Sequence, residues 1–237
     1  MGFLIHQIYG LYADGKEMNE LFKTSNKEWS EYAKRNDCIY KLWNKEEVEE
    51  LVNTFTNIKD YYYDVKYPVM KVDIARFLII YHFGGMYVDL DVIPIKDKIE
   101  IDETKLTLCK YMNKKNILDI EIIYSPKYNI DLFNFVAFYI PSQISEKNET
   151  LPNSWKIRYV FHTTGPQSFI RFIKKNKLEF NIIPTAHLAE EDTFGVGIDM
   201  IKYGDYDYDC LSYFSMSYNP HKSNKKYVKK DKKAEVV

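Results

Sequence analysis

The stretch that most constrains this chain runs from Val69 to Val92, where an apolar helix pattern, a Gly-Gly break and an apolar strand ending in two carboxylates follow one another directly. Val69 to Phe83 is apolar on nearly every side except at Lys71, Asp73, Arg76 and His82, and a helix without a continuous polar face belongs in an interior. Gly84-Gly85 ends it, since glycine takes the left-handed C-cap conformation without strain. Met86 to Val92 then reads as a core strand closed by Pro94, which has no amide to donate to a ladder. A buried helix feeding a buried strand implies a sheet covered by helices.

Flanking segments repeat the alternation. Phe3 to Tyr9 is short, apolar and bounded by Gly10, which predicts a buried first strand. Ser25 and Glu28 have the spacing of a capping box and predict a helix from there to about Asn36, carrying Trp29, Tyr32 and Ala33. Cys38 to Trp43 is a second strand, and Asn44 with Glu47 caps a helix whose apolar stripe is Val48, Leu51, Val52 and Phe55. Tyr61-Tyr62-Tyr63 and Tyr67-Pro68 read as a connecting segment. Further strands are predicted near Leu106 to Lys110 and Ile120 to Tyr124, with helices from Ile130 to Tyr139 and after Gly165-Pro166. Beyond Phe194 the pattern dissolves into loop, and Lys222 to Lys233 carries seven Lys. The expected organisation is one α/β domain over 1–221 and a disordered, Lys-rich tail over 222–237.

Composition limits the partners. Lys and Arg number 33 against 34 Asp and Glu, a net charge of −1, so no strong basic field exists to attract nucleic acid. Cys38, Cys109 and Cys210 are distant, odd in number and never in a CxxC, which argues for a reducing compartment and against a cysteine-ligated zinc. The longest apolar stretch, Ile74 to Phe83, is broken by Arg76 and His82 and falls far below the roughly 20 residues of a span. The N-terminus lacks the pattern of a signal peptide. The expectation is a cytoplasmic protein without a membrane span, its tail capable at most of weak peripheral contact with an anionic membrane surface.

The chemistry concentrates at Asp89 and Asp91, two carboxylates at i and i+2 leaving an apolar strand. Open α/β sheets place ligands at strand ends, and hard oxygen donors suit Mn²⁺ or Mg²⁺, which keep positions for phosphate and water. A nucleotide diphosphate needs such an ion, because negative charge develops on it as a sugar departs. Taken alone, the pair could equally be a polar strand end meeting water. Asp73 and Arg76 add a second signal, since they share a face at i, i+3 of an otherwise apolar helix. Buried ionisable groups are costly unless paired or serving a ligand; an internal salt bridge and a ligand site are the two readings.

The segment KVDIARFLIIYHFGGMYVDLDV resembles the DxD-containing sugar-binding region of family 32 glycosyltransferases, which is similar in turn to initiating mannosyltransferases, capsule glycosyltransferases and the glucosylating clostridial toxins. The Asp73, Arg76, Gly84, Gly85, Asp89 and Asp91 positions of the pattern are filled, while Val72 stands where Ser is usual. Ile5 to Tyr9 resembles the family's first strand, Trp29 and Tyr32 its second element, and Thr164-Gly165-Pro166 a later motif before a helix. The resemblance implies a GT-A-type, Rossmann-like nucleotide-binding fold with a mixed central sheet and helical additions. It implies a metal-dependent hexosyltransferase that retains anomeric configuration, with Mn²⁺ or Mg²⁺ as cofactor. Its partners would be a UDP- or GDP-hexose donor and a glycan or other hydroxyl acceptor, in glycan or polysaccharide biosynthesis.

By the same resemblance Tyr9 stacks on the nucleobase, Asp73 and Arg76 hold the donor's sugar and its ribose or phosphate, and Asp89 touches ribose and sugar. Asp91 binds the metal directly, with Asp89 and His221 as further candidate ligands; a histidine so near a tail is also read as simply exposed. Catalysis would rest on Asp73, Arg76 and Asp91. His6, His82, His162 and His187 read as structural. The alternatives are a haloacid-dehalogenase-type phosphatase, in which Asp89 would accept phosphoryl but Ile93 breaks the motif, and a non-catalytic carbohydrate-binding relative. Asp205, Asp207 and Asp209 imitate a calcium loop, yet Cys210 and Met216 stand where Gly and Glu are required.

Overall fold

The computed structural model of the chain describes residues 2–11, 17–111, 117–150, 156–187 and 208–213. Its elements run β1 (Leu4–Ile8), α1 (Glu20–Arg35), β2 (Ile39–Trp43), α2 (Lys45–Asn53), α3 (Thr56–Asp64), α4 (Val69–Phe83), β3 (Gly85–Val88) and β4 (Val92–Pro94). There follow β5 (Thr107–Tyr111), β6 (Ile117–Ser125), α5 (Ile130–Asn134), a π-helical turn (Phe135–Tyr139), α6 (Ile140–Thr150), α7 (Lys156–Thr163), α8 (Pro166–Asn176), β7 (Asn181–His187) and β8 (Cys210–Ser212). The last two strands lie where the apolar pattern is too short to announce them.

Eight strands form one mixed sheet in the order β2-β1-β3-β6-β5-β7-β8-β4. β1 is parallel to β2 and β3, while β6 is antiparallel to both β3 and β5. β7 runs parallel to β5 and β8, and β4 closes the order antiparallel to β8. The order bends the sheet. β3 and β4 stand five places apart in it, about 24 Å on a flat sheet, yet only Asp89, Leu90 and Asp91 join them, a link of at most about 14 Å. The sheet therefore curls until its β4 edge approaches β3, and the carboxylate turn sits at the seam.

α4 occupies the predicted span and is buried along most of its length. Gly84 ends it at φ 71° and Gly85 follows at φ 95°. A Cβ on Gly85 would stand 2.3 Å from the Leu4 carbonyl oxygen, so glycine also permits β1 and β3 to pair there. Three local expectations are corrected. α1 begins at Glu20, not near Ser25, because the Asn19 side chain accepts from the Phe22 amide at 2.8 Å and takes over the cap. Tyr61-Tyr62-Tyr63 are helical, in α3, since Ile58 and Tyr62 bury completely against the core. Met86 to Val92 is two strands, because the chain must turn at Leu90 and Asp91 to cross the seam. The Asn44–Glu47 capping box forms as expected.

The core lies on both faces of the sheet, as strand alternation requires. Tyr87 and Ile123 face Leu78, Phe135 and Phe169 on the α4 and α8 side, where the Phe77, Phe135 and Phe169 rings meet with centroids 4.7–4.8 Å apart. Met86, Val88 and Ile122 face Trp29 and Tyr32 of α1. Among the described residues no helix is long and apolar enough to cross a membrane, and all three cysteines are free thiols.

Candidate functional site

The turn from Asp89 to Asp91 is held from several sides. Val92 N donates to Asp89 O at 3.2 Å, Asp89 N donates to Glu121 O at 2.8 Å, and Tyr213 N donates to Asp91 O at 2.8 Å. Gln7 of β1 adds a bond from Nε2 to Asp89 O at 3.3 Å. Just beyond, the Val92 carbonyl accepts from Ser25 Oγ at 2.6 Å and from Trp29 Nε1 at 2.9 Å. Ser25 and Trp29 thus belong to the machinery that fixes β4, Ser25 as a buried mid-helix hydroxyl and not as a cap.

Beneath the turn α4 supplies a buried ion network. Arg76 Nη2 meets Asp73 Oδ1 at 3.1 Å, and Nη1 meets Asp89 Oδ2 at 3.1 Å and donates to the Ile120 carbonyl at 2.9 Å. The guanidinium lies 4.7 Å from the Tyr87 ring centroid. The Tyr87 hydroxyl donates to Asp89 Oδ1 at 2.6 Å, and Thr164 Oγ1 donates to Asp73 Oδ2 at 2.7 Å. Both oxygens of Asp89 are thereby oriented, and the Thr164-Gly165-Pro166 segment is tied to α4. The side chains of Asp73 and Arg76 are each 6% exposed against 23% for Asp89. Asp73 and Arg76 do form an internal ion pair, and it ends on the carboxylate that reaches solvent.

Burial pushes the Asp73 carboxyl up to about 6, against the pull of Arg76 and Thr164. For Arg76 burial works against the charge, but Asp89, Tyr87 and Asp73 outweigh it and hold the guanidinium protonated. Asp119 and Glu121, both on β6, are also pushed up by burial; neighbouring carboxylates add to this, Asp89 for Asp119 and Asp91 first for Glu121. Asp89, Asp91, Asp119 and Glu121 therefore crowd one seam, and Arg76 beside them is already engaged by Asp73 and Asp89.

Asp119 and Glu121 reach the seam through an irregularity in β6. Leu108 pairs with Ile123, but the next residue, Cys109, pairs with Asp119, so the β5 ladder steps over Ile120, Glu121 and Ile122. Bulges of this kind re-aim side chains next to sites. One carboxylate oxygen each from Asp89, Asp91 and Glu121 lies within 4.8 Å of the others, and Glu121 Oε2 is buried without a hydrogen-bond partner. A cluster of hard oxygens with an unsatisfied buried acceptor fits a divalent cation such as Mn²⁺ or Mg²⁺. The sequence reading did not single out Asp119 or Glu121. Their signal was two carboxylates at i, i+2 within the otherwise apolar run Ile117 to Tyr124, the same pattern that marked Asp89 and Asp91.

Tyr9 directly follows β1 and borders the apolar cluster that contains Leu90 of the turn, with Leu21, Phe22 and Ile93. His221, Asp205, Asp207 and the tail over 222–237 lie outside the described residues. Asp209 pairs with Lys96 at 2.7 Å. His6 is structural in its contacts: Nε2 lies 2.9 Å from the Gly84 carbonyl, and Nδ1 lies 3.2 Å from Trp43 Nε1. An indole can only donate, so the ring is neutral with its proton on Nε2, and burial lowers its pKa to about 4.

Residues 16–108 match the family described as glycosyltransferase sugar-binding region containing DXD motif. Over 90 residues the chain is 29% identical to inositol phosphoceramide mannosyltransferase 1 of Schizosaccharomyces pombe, a match spanning 38% of this chain and 27% of that protein. Among solved structures, the PaToxG glycosyltransferase superposes with a TM-score of 0.52 at 14% identity, covering 73% of this chain and 69% of that one. A glycosyltransferase involved in the glycosylation of the major capsid of PBCV-1 gives 0.45 at 9% identity, with 90% and 93% covered. The family resemblance read from the DxD segment holds over that region, and the fold is the expected GT-A type.

Proposed function

We propose that this chain, which carries over residues 16–108 the DXD-containing sugar-binding region of glycosyltransferases, moves a hexose from a UDP- or GDP-sugar to a glycan or other hydroxyl acceptor with retention of configuration. One observation supports this above all: a solvent-reaching carboxylate turn at the sheet seam, backed by a buried Asp73–Arg76–Asp89 network. Asp91 and Asp89 would hold a divalent cation, which would supply stabilisation of the charge developing on the leaving diphosphate. Tyr9 offers a ring face for the base at the end of β1. Asp89 presents its carboxylate toward ribose and sugar. Asp73 and Arg76, at 6% exposure, are positioning residues in this reading and act through Asp89: Arg76 and the Tyr87 hydroxyl fix its two oxygens, and Thr164 fixes Asp73.

A panel of UDP-glucose, UDP-galactose, UDP-GlcNAc and GDP-mannose with Mn²⁺, followed by release of nucleoside diphosphate, tests the reading. Asp91→Asn should keep the fold and lose most turnover. Undiminished turnover in that variant, or in excess chelator, would sink the metal-dependent assignment.

A further inference from the structure

We propose that Glu121 is a protein ligand of the divalent cation, a third carboxylate delivered from β6 to the Asp89–Asp91 turn. The inference rests on the metal-dependent reading above and goes beyond the two carboxylates of the turn.

Four independent features converge on Glu121. One of its oxygens lies within 4.8 Å of oxygens from both Asp89 and Asp91, a spacing that one ion can bridge with a small adjustment of side chains. Its Oε2 atom is buried in a residue only 7% exposed and has no hydrogen-bond partner. Buried polar atoms are nearly always satisfied, and an orphan points to a missing partner. Arg76 does not supply that partner: its Nη atoms are used by Asp73, Asp89 and the Ile120 carbonyl, and its Nε, buried too, makes no bond to Glu121.

The backbone supplies the third feature. The β5 ladder steps over Ile120, Glu121 and Ile122, while β3 still pairs with Ile122 and the Asp89 amide still donates to the Glu121 carbonyl at 2.8 Å. A main-chain bond thus locks Glu121 in register with Asp89, so the two carboxylates are placed relative to each other by the sheet itself. The fourth feature lies across the seam, where Ser212 of β8 and Tyr111 of β5 both come against the Glu121 carboxylate, Ser212 favouring its charged form. Metal-ligating carboxylates are commonly oriented by such contacts. A structural acid would have both oxygens satisfied by protein; Glu121 Oε2 is not, and an oxygen of the same carboxylate lies near those of Asp89 and Asp91.

Asp89 explains why a third ligand is useful. Tyr87 and Arg76 already occupy one position on each of its oxygens, which leaves it a weakened donor to a cation. Affinity at carboxylate sites follows the number of charged ligands, so Glu121 restores what Arg76 withdraws.

The test uses the full chain and Mn²⁺ alone, without nucleotide. Titration followed by the electron paramagnetic resonance signal of free Mn²⁺ should show binding to the wild type, and binding at least about tenfold weaker to Glu121→Gln. The metal-free melting temperature of that isostere should be preserved, and its rise on adding Mn²⁺ should shrink. Equal affinity in wild type and a folded Glu121→Gln, with binding lost in Asp91→Asn, would overturn Glu121 as a ligand while leaving the carboxylate turn as the cation site. Absence of Mn²⁺ binding to the wild type would overturn both. If Glu121→Gln does not fold, anomalous scattering from wild-type crystals soaked in MnCl₂ decides: a peak within bonding distance of Glu121 supports the proposal, and a peak on Asp89 and Asp91 alone refutes it.

Discussion

Replacing Arg76 with methionine is the most informative single perturbation of the ion network. The substitution keeps the length and apolar stem but removes the donor from Asp73 Oδ1, Asp89 Oδ2 and the Ile120 carbonyl. Asp89 keeps the Tyr87 hydroxyl and some solvent, and Asp73 keeps Thr164, so the loss falls on a buried carboxyl and a buried carbonyl. Breaking a buried pair by removing one partner costs about 3–5 kcal/mol, and for a chain of this size that lowers Tm by about 6–20 °C. The cost should depend on pH. In the wild type burial raises Asp73 to about 6 despite Arg76; without Arg76 it rises further, so the folded variant keeps the proton at pH 7. Over the one pH unit between 7 and 6 only the folded variant holds that proton, and the variant's deficit should shrink by about 1 kcal/mol as pH falls through it. Urea unfolding at pH 7 and pH 5.5 measures both effects. Adding Asp73→Asn should recover part of the stability, whereas kcat/KM should stay at least about tenfold down in the single and double variants, roughly 1.4 kcal/mol of transition-state stabilisation. An Arg76→Met protein as stable as wild type, with a pH-independent difference, would refute the account of the network. A stable, fully active double variant would refute its link to Asp89.

Three further outcomes follow from the packing. Gly85→Ala should destabilise by several kcal/mol or prevent folding, because φ is 95° and the new Cβ meets the Leu4 carbonyl oxygen at 2.3 Å; a thermal melt within a few degrees of wild type would contradict the tight β1–β3 pairing. His6 is neutral when folded, with a pKa lowered to about 4 from 6.5, so its contribution is present above pH 6.5 and lost as pH falls toward 4. The stability difference between wild type and His6→Gln should therefore drop by about 3 kcal/mol between pH 7 and pH 4, and a flat difference would show that His6 is not held neutral. Tyr9→Ala should weaken UDP or GDP binding in calorimetry while Tyr9→Phe does so little, since the ring face carries the contact; equal affinity in wild type and Tyr9→Ala would remove Tyr9 from the donor pocket.

Local pattern alone determined the parts of this protein whose physics is local. α4 could be read to its ends because fifteen residues with hardly a polar face can only be buried, and because Gly84-Gly85 can only end the helix. Asn44 and Glu47 announced their capping box for the same reason: every atom in it lies within one turn. The chemistry of the Asp89–Asp91 turn was legible too, since two carboxylates at a strand end need no distant partner to be conspicuous. Ser25 shows where such reading fails; its spacing to Glu28 imitates a cap, but the hydroxyl is taken by the Val92 carbonyl 67 positions away. Whether Asp73 and Arg76 formed an ion pair or faced a ligand depended likewise on Thr164, Ile120 and Asp89, of which only Asp89 is near in sequence. Glu121 and Ser212 come together only because a three-residue link forces an eight-stranded sheet to curl. Sequence periodicity reports which face of a strand is apolar, but a meeting between β6 and β8 is a property of the curled sheet, set by how far the chain can reach between Val88 and Val92.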